Sequence, residues 1–294
     1  MKKAVLNKLV IFGVGLIGGS VALALKKAAN SPRIIGIGRN ADALKTALEL
    51  GVIDGASNNV AEAIHDADLI LIATPVAQTA AILAAIKPHL GPNTVITDAG
   101  STKSDVLAYA QNVLGEKSNQ FVGGHPIAGA EKSGVTAAMA DLYINKNVVL
   151  TPSADSSPHA ILLTKELWQA CGANVSEMSA TTHDSIFAAV SHLPHLLAFA
   201  LVDDIASRPN AAQLFGFAAS GFRDFTRIAG SSPEMWRDIS LANKHALLNE
   251  LNAYEAELLT LKTMLKNDDS AGLQALFERA SVARNAWAHG QNNF

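Results

Sequence analysis

Short apolar runs punctuate the first 178 residues, separated by stretches of helical character: Lys8 to Phe12, Arg33 to Ile37, Leu69 to Ala73, Thr94 to Thr97, Gln120 to Gly123 and Asn147 to Thr151. Runs this short, rich in β-branched residues and apolar on both faces, suit strands covered by helices on either side. Their alternation with helices predicts an α/β fold with a doubly wound, mainly parallel sheet, completed by a helix from His159 to Ala170 and an extended segment from Ala173 to Met178. Beyond Ser179 glycine becomes sparse, and Leu247, Leu251, Tyr254, Leu258, Leu261 and Leu265 step by four and three to lay one apolar stripe along a helix. The pattern therefore predicts an α/β domain over residues 1–178 and an all-α domain over 179–294. The second domain is too small to bury every such stripe alone, so a homodimer built through it is expected.

The first strand runs into a glycine turn and then a helix, LVIFGVGLIGGS from Leu9 to Ser20. Gly13, Gly15 and Gly18 have the GxGxxG spacing, in which the first glycine permits a tight turn, the second lets backbone approach a pyrophosphate and the third lets helix and strand pack closely. With Leu16 and Ile17 between them, these residues form a candidate dinucleotide site of the Rossmann type, where phosphates meet free amides at a helix N-terminus. A glycine-rich turn that binds nothing is the plain structural alternative. Lys2 and Lys3 ahead of an apolar run also resemble a secretory signal, but the fingerprint glycines within that run and the strand IIGIG after it fit a retained βαβ unit. At the end of the second strand, where a carboxylate would bind the 2′-hydroxyl of NAD, stand Gly38, Arg39 and Asn40. A guanidinium there favours the 2′-phosphate of NADP, with NAD possible and an adenine-stacking or solvated Arg39 as alternatives. Thr74, Pro75 and Val76 are expected beside the nicotinamide ribose, unless the proline merely stops a strand.

Two further loops follow strand ends, DAGSTKSDV from Asp98 to Val106 and GGHPIAGAEKSG from Gly123 to Gly134. Loops at the carboxyl ends of strands line the ligand crevice of an open α/β sheet, which brings Ser101 and His125 to the nicotinamide. Proline after His125 holds that residue extended, and an imidazole there is suited to taking the proton that must leave a carbinol hydroxyl as its carbon loses hydride. Ser101 orients the imidazole or the substrate hydroxyl, or else caps the helix that follows. In the helical half, SHLPHLLAFA puts His192 and His195 three apart, and GFRDFTRIAG puts Arg223 and Arg227 four apart, each pair near one helix face. Two guanidiniums side by side could hold a dianion; for Arg223 a surface ion pair with Asp224 or Glu234 is the alternative, and for His192 a helix-terminal hydrogen bond.

Composition narrows the classes. With 49% hydrophobic residues the chain is too apolar to be disordered, and a net charge of −3 without a basic run argues against a nucleic-acid surface. The lone Cys171 can form no internal disulfide, which suits a reducing, cytoplasmic compartment. No segment beyond the first reads as a membrane span, so a small-molecule substrate is expected.

At these residues the sequence resembles the prephenate and arogenate dehydrogenases of tyrosine biosynthesis. GVGLIGGS, ATPV, DAGSTK, GGHPIAGAEKSG, SHLPHLLAFA and GFRDFTRIAGSSPEMW occur in family order over nearly the whole chain. The resemblance implies oxidation of a cyclohexadienol at C4 with loss of carbon dioxide, prephenate or arogenate as substrate, and His125 as the catalytic histidine with Ser101 beside it. It marks His195 as a substrate contact, Arg227 as the ring-carboxylate ligand, Arg223 as a second anion contact and Trp236 as an aromatic near the pocket or a core residue. One departure stands out: after HPIAG, relatives often carry threonine or serine, and this chain has Ala130. A chain ending at Phe294 leaves no room for an appended mutase or regulatory domain, so a monofunctional enzyme is expected. The competing classes are a β-hydroxyacid dehydrogenase or imine reductase, which should carry a catalytic lysine or aspartate in its interdomain helix, and a dinucleotide sensor without turnover.

Overall fold

In the computed structural model, which describes residues 6–27, 31–130 and 132–290, the strand Lys8–Phe12 (β1) lies inside a sheet of eight. It pairs in parallel with β2 (Arg33–Ile37) on one side and β4 (Leu69–Ile72) on the other; β3 (Gly55–Ala56) lies beyond β2. On the other flank β5 (Val95–Asp98), β6 (Phe121–Pro126), β7 (Asn147–Thr151) and β8 (Asn174–Glu177) follow β4 in order. The order reverses between β1 and β4, and this switch point opens a crevice at the strands' carboxyl ends.

Successive residues of each strand enter opposite cores. Leu9, Ile11, Leu69 and Leu71 join one, with helices α1 (Leu16–Lys26), α2 (Ala41–Glu49) and α6 (Pro158–Ala170). Val10, Phe12, Ile70 and Ile72 join the other, with α3 (Val60–Ile64), α4 (Thr79–Ile86) and α5 (Ser104–Leu114). Each such side chain, removed from water, stabilises the fold by about 1.5–3 kcal/mol. Cys171 is buried in the first core, where desolvation pushes its thiol up to about 12 and leaves it inert.

Two features of the sheet depart from the pattern read from sequence. Two-residue β3 carries too little apolar signal to be read. The expectation of parallel strands fails at β7, which runs antiparallel to β6 because the chain between them contains, among the described residues, a single 3₁₀ turn, Val135–Ala137, and no crossover helix. The crossover through α6 then restores a parallel pairing of β8 with β7.

After β8 come α7 (Ala180–Phe187), a π turn (Ala188–His192) and α8 (Leu193–Ala206), one continuous helical run. Pro194 lacks the N–H that would close a turn onto Val190, and the helix passes this point through the wider π turn. By length and composition this 27-residue run could cross a bilayer, which corrects the expectation that no later segment reads as a span. Its His183 and Asp184 are instead buried in hydrogen bonds to the sheet domain. Then follow α9 (Ala211–Gly216), α10 (Ser220–Thr226), a 3₁₀ turn (Arg227–Gly230) and α11 (Pro233–Ala242).

Residues 1–244 group into one compact unit and 245–294 into another. The second unit carries most of α12 (Lys244–Lys266) and all of α13 (Ser270–Ala288). Along its predicted stripe Tyr254, Leu258 and Leu265 are exposed within the single chain, as are Phe277, Val282 and Trp287 of α13. Lys2, Lys3 and Phe294 lie outside the described residues.

Candidate active site

The glycine turn passes a test of fit for a dinucleotide. Gly13 has φ +91°, and a Cβ there would stand 2.7 Å from the Ala73 carbonyl oxygen; one on Gly18 would overlap the Gly13 carbonyl. Packing therefore demands both glycines. Gly15 is different: its φ is −103° and a Cβ would meet nothing within 4 Å, so the protein itself leaves that space open. Gly15 is the N-cap of α1, no side chain caps the helix and no acid lies in its first turn, so Leu16, Ile17 and Gly18 present amides to an anion. Arg39 is exposed beyond β2. Asn40 is the N-cap of α2, its Oδ1 accepting from the Ala43 amide at 3.0 Å. Thr74 follows β4 with its methyl near Gly13 and its buried hydroxyl without a partner among the described residues. Pro75 is exposed, and Val76 is buried in the core beneath.

Beyond the crevice, a buried ion pair fixes the first loop, after β5, and the end of strand β6. Asp98, at the end of β5, is salt-bridged to Lys103, and both are essentially inaccessible. The Asp98 carboxylate also accepts from the Gly100 amide (2.8 Å) and the Gly124 amide (3.0 Å), while Lys103 Nζ donates to the Gly124 carbonyl (2.8 Å). Ser101 sits inside the first loop and His125 directly after Gly124, so one charge pair sets the positions of both. Ser101 does not cap α5; the N-cap is Lys103, without a side-chain cap.

That cap comes from α7. Asp184 accepts from the Lys103 amide (2.9 Å) and the Ser104 amide (2.8 Å), putting a carboxylate on the positive end of α5. It also binds His183 Nδ1 at 2.8 Å, and His183 Nε2 lies 2.8 Å from His125 Nδ1. Asn243 donates from Nδ2 to the Asp184 carbonyl (2.8 Å) and lies 3.1 Å from His192 Nδ1. His183, Asp184 and Asn243 were not singled out from sequence; the visible signal was a His-Asp pair near the start of a mostly apolar helical run.

His195 and Arg227 line one cavity of about 410 Å³ together with Gly129, Ala130 and Ser231. The loop that follows β6, the strand carrying His125, thus shares a wall with the guanidinium predicted to hold the substrate. His195 donates from Nδ1 to the Ser191 carbonyl (2.8 Å) and stacks on buried Trp236, centroids 3.6 Å apart at 19°. The Trp236 ring also meets His192 at 6.0 Å, which links the cavity to the Asp184 network. Ser101, His125 and Arg223 are not on the cavity's lining, and Arg223 is exposed in the last turn of α10.

Burial governs the titration of these imidazoles. Desolvation first, then the charges of His183, Lys103 and His192, hold His125 well below its usual range. His183 is lowered by burial despite the raising pull of Asp184, and His192 is pushed down to about 4 by burial, against the pull of Asp184 and the Ser101 backbone. His195 is lowered by burial, the Ser191 carbonyl opposing and Arg227 adding to the shift. Burial raises Asp184, but hydrogen bonds from His183, Ser104 and Lys103 outweigh it and keep the carboxyl below its ordinary value.

Residues 21–177 match the prephenate dehydrogenase nucleotide-binding domain and residues 179–279 the prephenate dehydrogenase dimerization domain. The chain belongs to the prephenate dehydrogenase family. It is 41% identical over 281 residues to the prephenate dehydrogenase of Bacillus subtilis (strain 168), spanning 95% of this chain and 75% of that protein. With the cyclohexadienyl dehydrogenase of Zymomonas mobilis it shares 33% identity over 95% of this chain and 96% of the relative. A crystal structure of prephenate dehydrogenase from Aquifex aeolicus, in complex with hydroxyphenyl propionate and NAD+, superposes with a TM-score of 0.90 at 36% identity, covering 96% of this chain and 99% of that one. Membership in this family makes the chain an oxidoreductase with a nicotinamide dinucleotide cofactor, and it sets aside the β-hydroxyacid reading.

Gly15 and Gly18 should respond oppositely to substitution. Gly15→Val should keep the unfolding midpoint while weakening dinucleotide binding about tenfold or more, measured by fluorescence titration; Gly18→Val should lower the midpoint, because its side chain must displace backbone. Equal loss of stability in both would contradict the open space at Gly15.

Acid should destabilise the fold through the four imidazoles. Unfolded histidines protonate near pH 6.5, whereas folded His125, His183, His192 and His195 resist, so the unfolded state binds more protons and stability falls as pH drops below about 6.5, through about pH 4 for His192. Urea unfolding between pH 7 and pH 4.5 checks this. A flat midpoint across that window would contradict the neutral cluster, and His192→Gln should reduce the slope by about one proton.

Proposed function

We propose that this enzyme oxidatively decarboxylates prephenate, arogenate or both, with His125 as the base and Arg227 as the anchor for a substrate carboxylate. The observation that carries the reading is a cavity walled by Arg227, His195 and the loop that follows β6, the strand that carries His125. Its volume of about 410 Å³ lies within the range of small-ligand sites. Gly13, Gly15, Leu16, Ile17 and Gly18 would hold the pyrophosphate, and Thr74, Pro75 and Val76 the nicotinamide end. When bound, the oxidised nicotinamide supplies the hydride acceptor. His125, neutral at pH 7 and fixed beside Gly124, takes the C4 hydroxyl proton as the C4–H bond gives up its hydride; the bond from C1 to its carboxylate then breaks, its electron pair completes the aromatic ring as carbon dioxide leaves, and the phenolate oxygen regains a proton. Ser101 orients the hydroxyl or the imidazole. Arg227 pairs with a carboxylate in bidentate fashion, His195 offers Nε2 to the substrate from a ring held by Ser191 and Trp236, and Trp236 forms the wall behind it. Arg223 is a second anion contact only if the cavity closes toward it. Ala130 places a methyl on the lining where relatives' hydroxyl would stand, removing one polar contact with the substrate.

NADP is the preferred cofactor on this reading, since no carboxylate ends β2 and Arg39 is exposed there; Asn40 contributes by capping α2 beside it. A homodimer forms through the helices after Ser179, whose apolar side chains on α12 and α13 are exposed in the single chain. The enzyme acts in the cytoplasm, without nucleic-acid or membrane partners.

His125→Asn should lower turnover by about two to four orders of magnitude with KM nearly unchanged, and Arg227→Ala should chiefly raise KM. A full-rate His125 variant removes the base assignment, and unchanged saturation in the Arg227 variant removes the anchor. Initial rates with prephenate and arogenate against NAD and NADP assign substrate and cofactor. Arg39→Ser should cut kcat/KM for NADP about tenfold or more and leave NAD little changed; a variant that keeps its NADP preference contradicts the role of Arg39.

A further inference from the structure

We propose that His183 and Asp184 are positioning residues that hold the proton of His125 on Nδ1 and so leave the Nε2 lone pair free to act as the base. The inference deepens the reading of His125 given above and rests on it. Its ground is a chain of two hydrogen bonds whose direction only one arrangement satisfies. Asp184 already accepts from two backbone amides, those of Lys103 and Ser104, and an ionised carboxylate can only accept; His183 must therefore donate from Nδ1. A neutral His183 then has only a lone pair at Nε2, 2.8 Å from His125 Nδ1, so His125 must donate there. Its remaining nitrogen, Nε2, carries no proton.

The arrangement has a chemical purpose. A free neutral histidine side chain favours the proton on Nε2, the form in which that nitrogen cannot accept a proton. An acceptor fixed against Nδ1 reverses the preference before substrate binds, in the way a third group orients the base of a nucleophile–base pair. Phe187 packs against both rings, 4.8 Å from His125 and 4.5 Å from His183, and restricts their rotation. When His125 takes a proton, its new charge is one imidazole away from the Asp184 carboxylate. Asp184 itself reaches the site from α7, held by Asn243 through its own backbone carbonyl.

The test is the tautomer, read from the ¹⁵N spectrum of the histidine-labelled full chain, with the His125 signals assigned by their loss in His125→Asn. The wild-type protein at pH 7 should show a protonated Nδ1 and an unprotonated Nε2 at His125; a proton on Nε2 overturns the proposal without any variant. His183→Phe, which removes the acceptor, should move the proton toward Nε2 and lower kcat by about 10- to 100-fold with KM and dinucleotide affinity within about twofold, a smaller loss than the roughly 10⁴-fold seen when an Asp–His couple is held in the wrong tautomer. His183→Gln restores an acceptor oxygen and should recover both the tautomer and most of kcat. Equal losses in the Phe and Gln variants, with cofactor affinity falling alongside, would mean a merely structural His183 and overturn the proposal. A shifted tautomer with unchanged kcat would instead overturn the assignment of His125 as the base.

Discussion

A carboxylate shared between two parts of the fold organises this molecule. Asp184 belongs to the helical run that follows the sheet, yet its oxygens accept from the Lys103 and Ser104 amides at the start of α5 and from His183. A buried carboxylate costs several kcal/mol in lost hydration and is tolerated only when its lone pairs are filled. Here three donors fill them, and each donor sits where it does only if α7 and α5 are in register. The same logic applies to Asp98 and Lys103, whose charges cancel in the interior while their hydrogen bonds hold Gly100 and Gly124. Replacing either pair with apolar groups could leave stability intact; what such groups lack is direction, and direction is what a catalytic imidazole needs.

Much of this was legible in the chain. The strands at Lys8–Phe12, Arg33–Ile37 and Asn147–Thr151 follow the apolar runs to the residue, because strands buried on both faces have no polar alternation to blur their ends. Gly13 and Gly18 could be read because their spacing reflects local sterics. What could not be read depended on distance along the chain. β7 reverses direction because of what is missing between it and β6, and the capping of α5 comes from a residue about 80 positions away. Ser101 looked like that cap; the actual donor of the carboxylate lies in a segment whose composition suggested only core packing. His192 shows a related limit: it is the last residue of the π turn, and its ring meets Asn243, about 50 positions away.

The cluster of neutral histidines raises a question of base strength. An imidazole held well below its usual pKa is a weaker base than a solvated one, and a weaker base ordinarily slows proton removal. Two features offset this on the proposed reading. First, the site keeps the base in its active form at every pH near neutrality, so none of the enzyme is lost to a protonated resting state. Second, proton removal is coupled to departure of hydride and to formation of an aromatic ring, which supplies driving force that the base need not. The protein can then use burial for what burial does best: it excludes water from the imidazole and strengthens the Asp184–His183–His125 hydrogen bonds, while the guanidinium of Arg227 stands at the cavity wall. A site built on a strongly basic, exposed histidine would gain proton affinity and forfeit the fixed tautomer, and for a reaction that ends in an aromatic ring the fixed tautomer is the scarcer of the two.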